Sequence, residues 1–196
     1  MSDVPSEASN QKRALRAELR ERRQAMSETE RQAATDGITE NLIALTRELG
    51  ARSVTGYLSM PTEPNTRPFL NWAHENGLRT LLPISREDGL LDWTTADGES
   101  ETQNPSGLPE PVGELLGPIA INDVDLIIVP AAAVGADGLR MGWGRGYFDR
   151  TLGSMEKCPP VYAVIFDGEL ADQVPREKHD QPVNGAVTPT RIVRFS

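Results

Sequence analysis

Residues 125–152 read DLIIVPAAAVGADGLRMGWGRGYFDRTL, and this stretch decides the fold. It begins with the unbroken apolar run Leu126-Ile127-Ile128-Val129, which is typical of a strand buried on both faces of a sheet. A glycine-rich segment follows the run directly, and the pattern then predicts a helix over residues 148–155. A buried strand that leads through a loop into a helix is the repeating unit of α/β proteins. The stretch therefore predicts a central strand of a largely parallel sheet covered by helices.

The rest of the chain extends this pattern on both sides. Apolar residues at helical spacing predict helices over residues 12–25, 27–50 and 67–75, and the second of these opens with a capping box at Ser27 and Glu30. Shorter apolar runs predict strands over residues 53–59, 79–84, 90–94, 161–166 and 186–195. Proline and glycine are frequent in residues 96–118, which predicts a long surface loop.

Together these elements predict a three-layer α/β/α fold with a largely parallel sheet and an N-terminal helical pair. Residues 1–10 are polar and acidic, so we expect a disordered leader there and a single domain over residues 11–196.

Charge and composition restrict the classes of function. The formal net charge of −9 disfavours a general nucleic-acid binder, and no apolar run is long enough to cross a membrane. Between Lys12 and Arg31, however, basic residues outnumber acidic ones, so an anionic ligand would have to meet a local cluster of this kind. The chain has a single cysteine, Cys158, and its first residues lack the pattern of a signal peptide, so we expect a cytoplasmic protein.

The glycine-rich segment indicates a phosphate-binding loop. Five glycines within residues 135–146 would let the backbone approach a ligand closely, and the segment enters a predicted helix at the sheet edge where ligands bind in α/β proteins. Arg140 and Arg145 would add forked donors for phosphate oxygens, and Asp149 could hold a divalent metal ion on those phosphates. A glycine-rich connection that merely turns the chain would share the glycine pattern, and the Walker and dinucleotide-binding patterns are both absent.

Residues 125–152 also resemble the signature of the 5-formyltetrahydrofolate cyclo-ligases, also called 5,10-methenyltetrahydrofolate synthetases. Three further matches follow in the family's order along the chain. They are Lys12 with Arg16 in the first helix, Tyr57-Leu58-Ser59-Met60 with Glu63, and the C-terminal set Val174-Pro175, His179-Asp180 and Thr188.

The resemblance implies an enzyme that uses ATP and Mg²⁺ to convert 5-formyltetrahydrofolate into 5,10-methenyltetrahydrofolate. It implies Arg145 and Tyr147 as catalytic residues, and Asp149 and Asp180 as metal ligands. The ATP-binding residues that it implies are Lys12, Arg16, Arg140, Gly142, Trp143, Gly144, Arg145, Gly146, Tyr147 and Phe148. The substrate-binding residues that it implies are Leu58, Glu63, Trp143, Gly144, Arg145, Gly146 and Tyr147.

The chain departs from the family pattern in three places. Met141 stands where leucine is usual, and Phe148 lacks the hydroxyl of the usual tyrosine. Residues 104–108 lack the tryptophan that some members have there.

Two other functions share part of the pattern. A folate- or nucleotide-binding paralogue without turnover would keep the same charged residues, and a sugar-phosphate isomerase could use the same kind of sheet and loop. We expect a monomer that binds small molecules, with no nucleic-acid or membrane partner.

Overall fold

The computed structural model describes residues 4–95, 101–103, 109–155 and 158–195. Within these ranges the α-helices are α1 (Glu7–Gln24), α2 (Glu28–Glu48), α3 (Arg67–Glu75) and α4 (Tyr147–Gly153), and 3-10 helices cover Pro118–Asp123 and Asp167–Glu169. The first strands are β1 (Ser53–Thr55), β2 (Arg79–Ser85), β3 (Leu91–Thr95), β4 (Glu101–Gln103), β5 (Pro109–Pro111) and β6 (Leu115–Leu116). The later strands are β7 (Leu126–Pro130), β8 (Ala133–Gly135), β9 (Arg140–Met141), β10 (Val161–Val164), β11 (Leu170–Ala171), β12 (Gly185–Val187) and β13 (Ile192–Arg194).

The main sheet is largely parallel, as predicted. Among the described residues it has eight strands in the order β13-β12-β10-β7-β1-β2-β3-β6. Strands β12, β10, β7, β1 and β2 pair in parallel, whereas β13 at one edge and β3 and β6 at the other pair antiparallel. Strand β7, from the apolar run at residues 126–129, lies in the middle of the parallel part.

Strand β7 shows how the sheet separates two apolar layers. Leu126 and Ile128 pack into a cluster with the buried faces of α2 and α3, and Ile127 and Val129 pack into another that includes Leu152 of α4. Because side chains alternate between the faces of a strand, four consecutive apolar residues serve both layers. The predicted three-layer arrangement follows from this alternation.

The N-terminal helices are consecutive in the chain but pack against different parts of the fold. Helix α2 packs against the main sheet. Leu19 of α1 instead packs in a small cluster with Ala133, Leu139, Met141 and Val174. This cluster lies on a second sheet in which β8 pairs with β11 and β9. The predicted helical pair is thus present as two successive helices, each with its own core.

Helix α1 begins earlier than the sequence predicted. Its first residue is Glu7, and the Ser6 hydroxyl caps it by accepting a hydrogen bond from the Ser9 backbone N–H. Residues 7–10 are therefore helical, although we expected a disordered leader up to residue 10. Apolar periodicity missed this turn because three of its four residues are polar.

Several strand predictions also need correction. The strand expected over residues 53–59 ends at Thr55, and the one expected over residues 186–195 is the antiparallel pair β12 and β13, which are separated by a turn at Pro189 and Thr190. The region expected to be one loop, residues 96–118, includes β4, β5 and β6, and the absence of a tryptophan from residues 104–108 concerns a segment outside the described residues. The glycine-rich segment is also divided, because β8 and β9 form an antiparallel hairpin before the loop that enters α4.

Within the described residues, no helix has both the length and the apolar character needed to cross a bilayer.

Candidate active site

A cleft of about 710 Å³ lies between α1 and the C-terminal side of the main sheet. Its walls come from α1, residues 57–63, the loop and helix start at residues 142–149, and the turn at residues 177–180. Every residue that the sequence assigned to a site lines this cleft. These residues are Lys12, Arg16, Leu58, Glu63, Arg140, Gly142, Trp143, Gly144, Arg145, Gly146, Tyr147, Phe148, Asp149 and Asp180.

The glycines of the loop allow it to pass close beneath α1. Gly144 and Gly146 have φ angles of 100° and 77°, and residues with a Cβ rarely adopt this backbone conformation. Arg16 reaches down from α1, and its Nε donates a hydrogen bond of 2.8 Å to the carbonyl oxygen of Gly142. A Cβ on Gly144 would stand 3.3 Å from Nη1 of the same arginine. The loop and the helix therefore meet at Arg16.

Arg140 is a buried cation at the base of the cleft. Its Nε donates to the Pro130 carbonyl oxygen at 2.7 Å, and its Nη1 lies 3.6 Å from Oδ1 of Asp149. Its guanidinium carbon lies 5.5 Å from the centre of the Phe148 ring. Burial lowers the pKa of Arg140, and the neighbouring carboxylate of Asp149 opposes that change. The side chain is held by oxygen atoms and an aromatic face.

The remaining residues of the loop differ in exposure. The side chain of Arg145 is exposed, whereas Tyr147 and Phe148 are half-buried and pack against the core layer that contains Leu152. Trp143 is also half-buried and packs against the small cluster beside α1. The loop is thus anchored by aromatic residues on both sides of an exposed arginine.

Lys12 lies among carboxylates at the far end of α1. Its side chain is 4% exposed, and its Nζ donates to both carboxylate oxygens of Asp180, at 2.8 and 2.7 Å. An oxygen of a second carboxylate, that of Glu177, lies 3.0 Å from the same nitrogen. The sequence assigned Lys12 to phosphates and Asp180 to a metal ion, and the structure brings the two into direct contact.

Glu63 lies on the opposite wall. Its Oε1 accepts a hydrogen bond of 2.9 Å from the Met60 backbone N–H, and burial raises the pKa of its carboxyl group. Beside it, Tyr57 is 5% exposed, and among the described residues its hydroxyl has no hydrogen-bond partner. Burial, reinforced by the charge of Glu63, raises the pKa of Tyr57 well above its ordinary value. The sequence had marked Tyr57 as part of a motif but had assigned it no role in the site.

With this geometry in place, comparison with known proteins identifies the family. The model of the 5-formyltetrahydrofolate cyclo-ligase family matches residues 8–189. The chain belongs to the 5-formyltetrahydrofolate cyclo-ligase family. A relative named 5-formyltetrahydrofolate cyclo-ligase, from Mycolicibacterium smegmatis, is 33% identical over 182 residues, covering 90% of this chain and 93% of the relative.

Other relatives agree with this assignment. A protein of the same name from Escherichia coli is 28% identical, covering 89% of this chain and 98% of its own length. The NMR structure of Aquifex aeolicus 5,10-methenyltetrahydrofolate synthetase is similar with a TM-score of 0.79 at 27% identity, covering 94% of this chain and 92% of that one. The prediction of a cyclo-ligase family enzyme, in the ligase class, is confirmed, and the sugar-phosphate isomerase alternative loses its support.

Arg23 of this cyclo-ligase family member was not assigned to the site from sequence. Arg23 is 3% exposed, and its Nε and Nη2 donate to the two carboxylate oxygens of Glu169 at 2.7 and 2.8 Å. It also donates to the Ala131 carbonyl oxygen at 2.9 Å and lies over the Trp143 ring, 4.8 Å from its centre. A basic residue on an amphipathic helix looks solvated from sequence, and its partner lies 146 residues away. The sequence itself carried no signal for this pair.

The acidic residues of the cleft suit a metal ion that arrives with phosphates. Among the described residues, no group of three or more histidine, cysteine, aspartate or glutamate side chains could hold a metal ion. Asp149 accepts a hydrogen bond from the Gln181 backbone N–H at 3.2 Å and faces Arg140, and Asp180 faces Lys12. Mg²⁺ commonly takes one or two carboxylates and completes its shell with phosphates and water. The carboxylates present fit that mode, with each now balanced by a protein cation.

The cleft is electropositive within an acidic protein. Among the described residues, four carboxylates line it, namely Glu63, Asp149, Glu177 and Asp180. Six cationic side chains from the same described ranges line it, namely Lys12, Arg16, Arg20, Arg23, Arg140 and Arg145, and Arg23 is paired with Glu169. The whole chain has a formal charge of −9, which repels anions, so an anion would be concentrated by the local excess of positive charge in the cleft.

Proposed function

We propose that this protein converts 5-formyltetrahydrofolate into 5,10-methenyltetrahydrofolate with conversion of ATP to ADP and phosphate. The observation that carries the proposal is the convergence of the assigned residues from four parts of the chain on one electropositive cleft. Relatives that share most of the chain carry the cyclo-ligase name, which supports the same reaction.

The reaction requires that the formyl oxygen be converted into a good leaving group. The formyl oxygen attacks the γ-phosphorus of ATP, and the bond from that phosphorus to ADP breaks. N10 then attacks the activated formyl carbon, N10 loses its proton, and the carbon–oxygen bond to phosphate breaks. The product has the 5,10-methenyl bridge, and phosphate leaves with the formyl oxygen. Phosphorylation is needed because an amide oxygen is a poor leaving group.

The loop side of the cleft would receive the transferring phosphoryl group. Arg140 is buried, so its charge is little screened, and Arg145 is exposed and close to the glycines. Donors fixed in advance stabilise developing negative charge most effectively, and phosphoryl transfer relies mainly on such positioning. Arg140 would hold charge at the base while Arg145 and Tyr147 close on the reacting groups.

The helix side would hold the nucleotide phosphates through Lys12 and Arg16. Asp149 and Asp180 would hold a Mg²⁺ ion together with the phosphates, and this ion would neutralise part of their charge. Phosphate binding would then replace Asp180 as one of the contacts of Lys12. The folate would occupy the opposite wall, where Leu58 offers an apolar contact and Glu63 accepts hydrogen bonds from ring nitrogens of the pterin.

The decisive experiment follows the absorbance of 5,10-methenyltetrahydrofolate after 5-formyltetrahydrofolate is added to the protein. We expect product with ATP and Mg²⁺, and a large loss of rate without ATP or with EDTA. Binding of folate without any product would favour the paralogue that lacks turnover. A full rate in EDTA would contradict the participation of a metal ion, and a full rate without ATP would contradict the phosphoryl step.

A further inference from the structure

Helix α1 presents a row of four cations to the cleft, and one of them is not held by protein oxygen atoms. Lys12, Arg16 and Arg23 each bind a carboxylate or a backbone carbonyl. Within the part of the chain that the structure describes, the guanidinium of Arg20 makes neither an ion pair nor a hydrogen bond, and its side chain is exposed. Arg20 is thus the cation of this row that is available to an incoming anion.

Arg20 nevertheless contacts an aromatic ring. Its guanidinium carbon lies 5.4 Å from the centre of the Trp143 ring, and Arg23 lies over the same ring from the next turn of the helix. A cation over an aromatic ring is attracted to the ring and keeps N–H donors available for an oxyanion. An arginine with such a contact loses less conformational freedom when it binds than a fully mobile one does. Trp143 therefore prepares Arg20 to bind an oxyanion at the rim.

The spacing along α1 separates this oxyanion from the nucleotide phosphates. Lys12 and Arg20 are eight residues apart, which corresponds to about 12 Å along a helix. On the proposed function, the phosphates lie towards Lys12 and Arg16, and the pterin lies against Leu58 and Glu63. The folate substrate is a second source of anionic groups beside ATP, because a glutamyl group with carboxylates is attached to the end of the molecule far from the pterin.

We propose that Arg20 binds a carboxylate of the glutamyl tail of the folate substrate and so contributes to substrate specificity. The inference rests on the proposed function, since it takes the folate as the occupant of this cleft. A charge-assisted pair between an arginine fork and a carboxylate suits this geometry, and its exposure to water limits its strength. The pair would favour folates that carry the tail over pterins that lack it.

The test compares two substrates in the Arg20→Gln variant. One is 5-formyltetrahydrofolate, and the other is 5-formyltetrahydropteroate, which lacks the glutamyl group. We expect the KM for the first to rise about fivefold, with little change in the KM for the second or for ATP. Equilibrium titration of each folate in the absence of ATP, followed by tryptophan fluorescence, should show the same difference without dependence on turnover.

The matched control is Arg13→Gln. Arg13 is exposed on the same helix and does not line the cleft, so the substitution makes the same change in net charge away from the site. The proposal would be overturned if Arg20→Gln weakened the binding of both substrates equally, or if Arg20→Gln and Arg13→Gln weakened binding equally. A change confined to the KM for ATP would also overturn it. Failure of the wild-type protein to form product would contradict the proposed function instead, and the titrations would still report on the tail.

Discussion

Two of the walls of the cleft, one formed by a loop and one by a helix, are held in place by different forces. The loop wall, residues 142–149, depends on backbone conformation and on aromatic residues that pack into the apolar layers. The helix wall, the cleft face of α1, depends on buried charge: Lys12 binds Asp180, and Arg23 binds Glu169. A glycine loop can be shaped locally, but a helix must be attached to distant parts of the chain. Substitutions should therefore affect the two walls in different ways.

The largest expected effect is on the helix wall. Arg23→Met should lower the free energy of unfolding by about 3–5 kcal/mol, because it leaves the Glu169 carboxylate buried without its partner. Urea denaturation of the wild type and the variant measures this change.

A double variant and a surface control sharpen that result. Adding Glu169→Met to Arg23→Met should recover much of the lost stability, because no buried charge remains. Arg22→Met removes an exposed pair with Glu18 on the same helix and should cost at most about 1 kcal/mol. An equal loss in the Arg23 and Arg22 variants would show that buried charge does not hold the helix wall.

The next effect is on the loop wall. Gly144→Ala should cost about 1–2 kcal/mol of stability, because its φ of 100° is unfavourable for alanine, and activity should fall by more than about tenfold as the loop moves. Gly50→Ala is the matched control, since Gly50 also has a positive φ, with open space around it, and lies outside the cleft. Melting temperature and turnover measured on both variants show whether the loop binds a ligand or only connects two elements. If Gly144→Ala is destabilised but fully active, the loop serves only to turn the chain.

The smallest stability effect concerns Glu63, which lies on the opposite wall formed by residues 57–63. Burial raises the pKa of Glu63 above its ordinary value of 4.5, so folding takes up a proton at this side chain. Its contribution to stability is then fully present below the unfolded pKa and is lost as the pH rises through the folded pKa. Glu63→Gln lacks this titration, so its stability relative to the wild type should rise through that window and stay level above it.

Folate binding by the same variant provides an independent measurement. The KM for 5-formyltetrahydrofolate should rise about tenfold, since the charged acceptor is gone while the shape is kept. A stability difference that is flat with pH would contradict the raised pKa, and an unchanged KM would remove Glu63 from the folate site.

The contrast between the walls also explains what could be predicted from sequence. Strand β7 was predictable because four consecutive apolar residues after Asp123 and Asp125 are typical of a buried strand, and the alternation of strands and helices then predicted the sheet. The glycine loop was predictable because its composition is local. The split between β12 and β13 was missed because the turn at Pro189 and Thr190 interrupts one apolar pattern, and its antiparallel return is a tertiary outcome.

The residues of the cleft divide in the same way. Family resemblance pointed to residues that all line one cleft, but it did not indicate that Lys12 contacts Asp180. Arg23 was missed because helical spacing gives the direction of a side chain and not what covers it. Tyr57 was missed because a buried hydroxyl without a partner is visible only once its neighbours are in place.

The ion pairs of the helix wall also impose an order on folding. Lys12 and Asp180 are 168 residues apart, and Arg23 and Glu169 are 146 apart, so each pair joins α1 to a distant part of the sequence. During synthesis on the ribosome, α1 emerges well before residues 169 and 180, and its charged side chains must wait for these partners. Contacts this distant in sequence form slowly, and the central strands pair from nearer segments. The cleft is therefore among the last parts of the molecule to assemble, and a chain cut short before residue 169 would have neither anchor for its first helix.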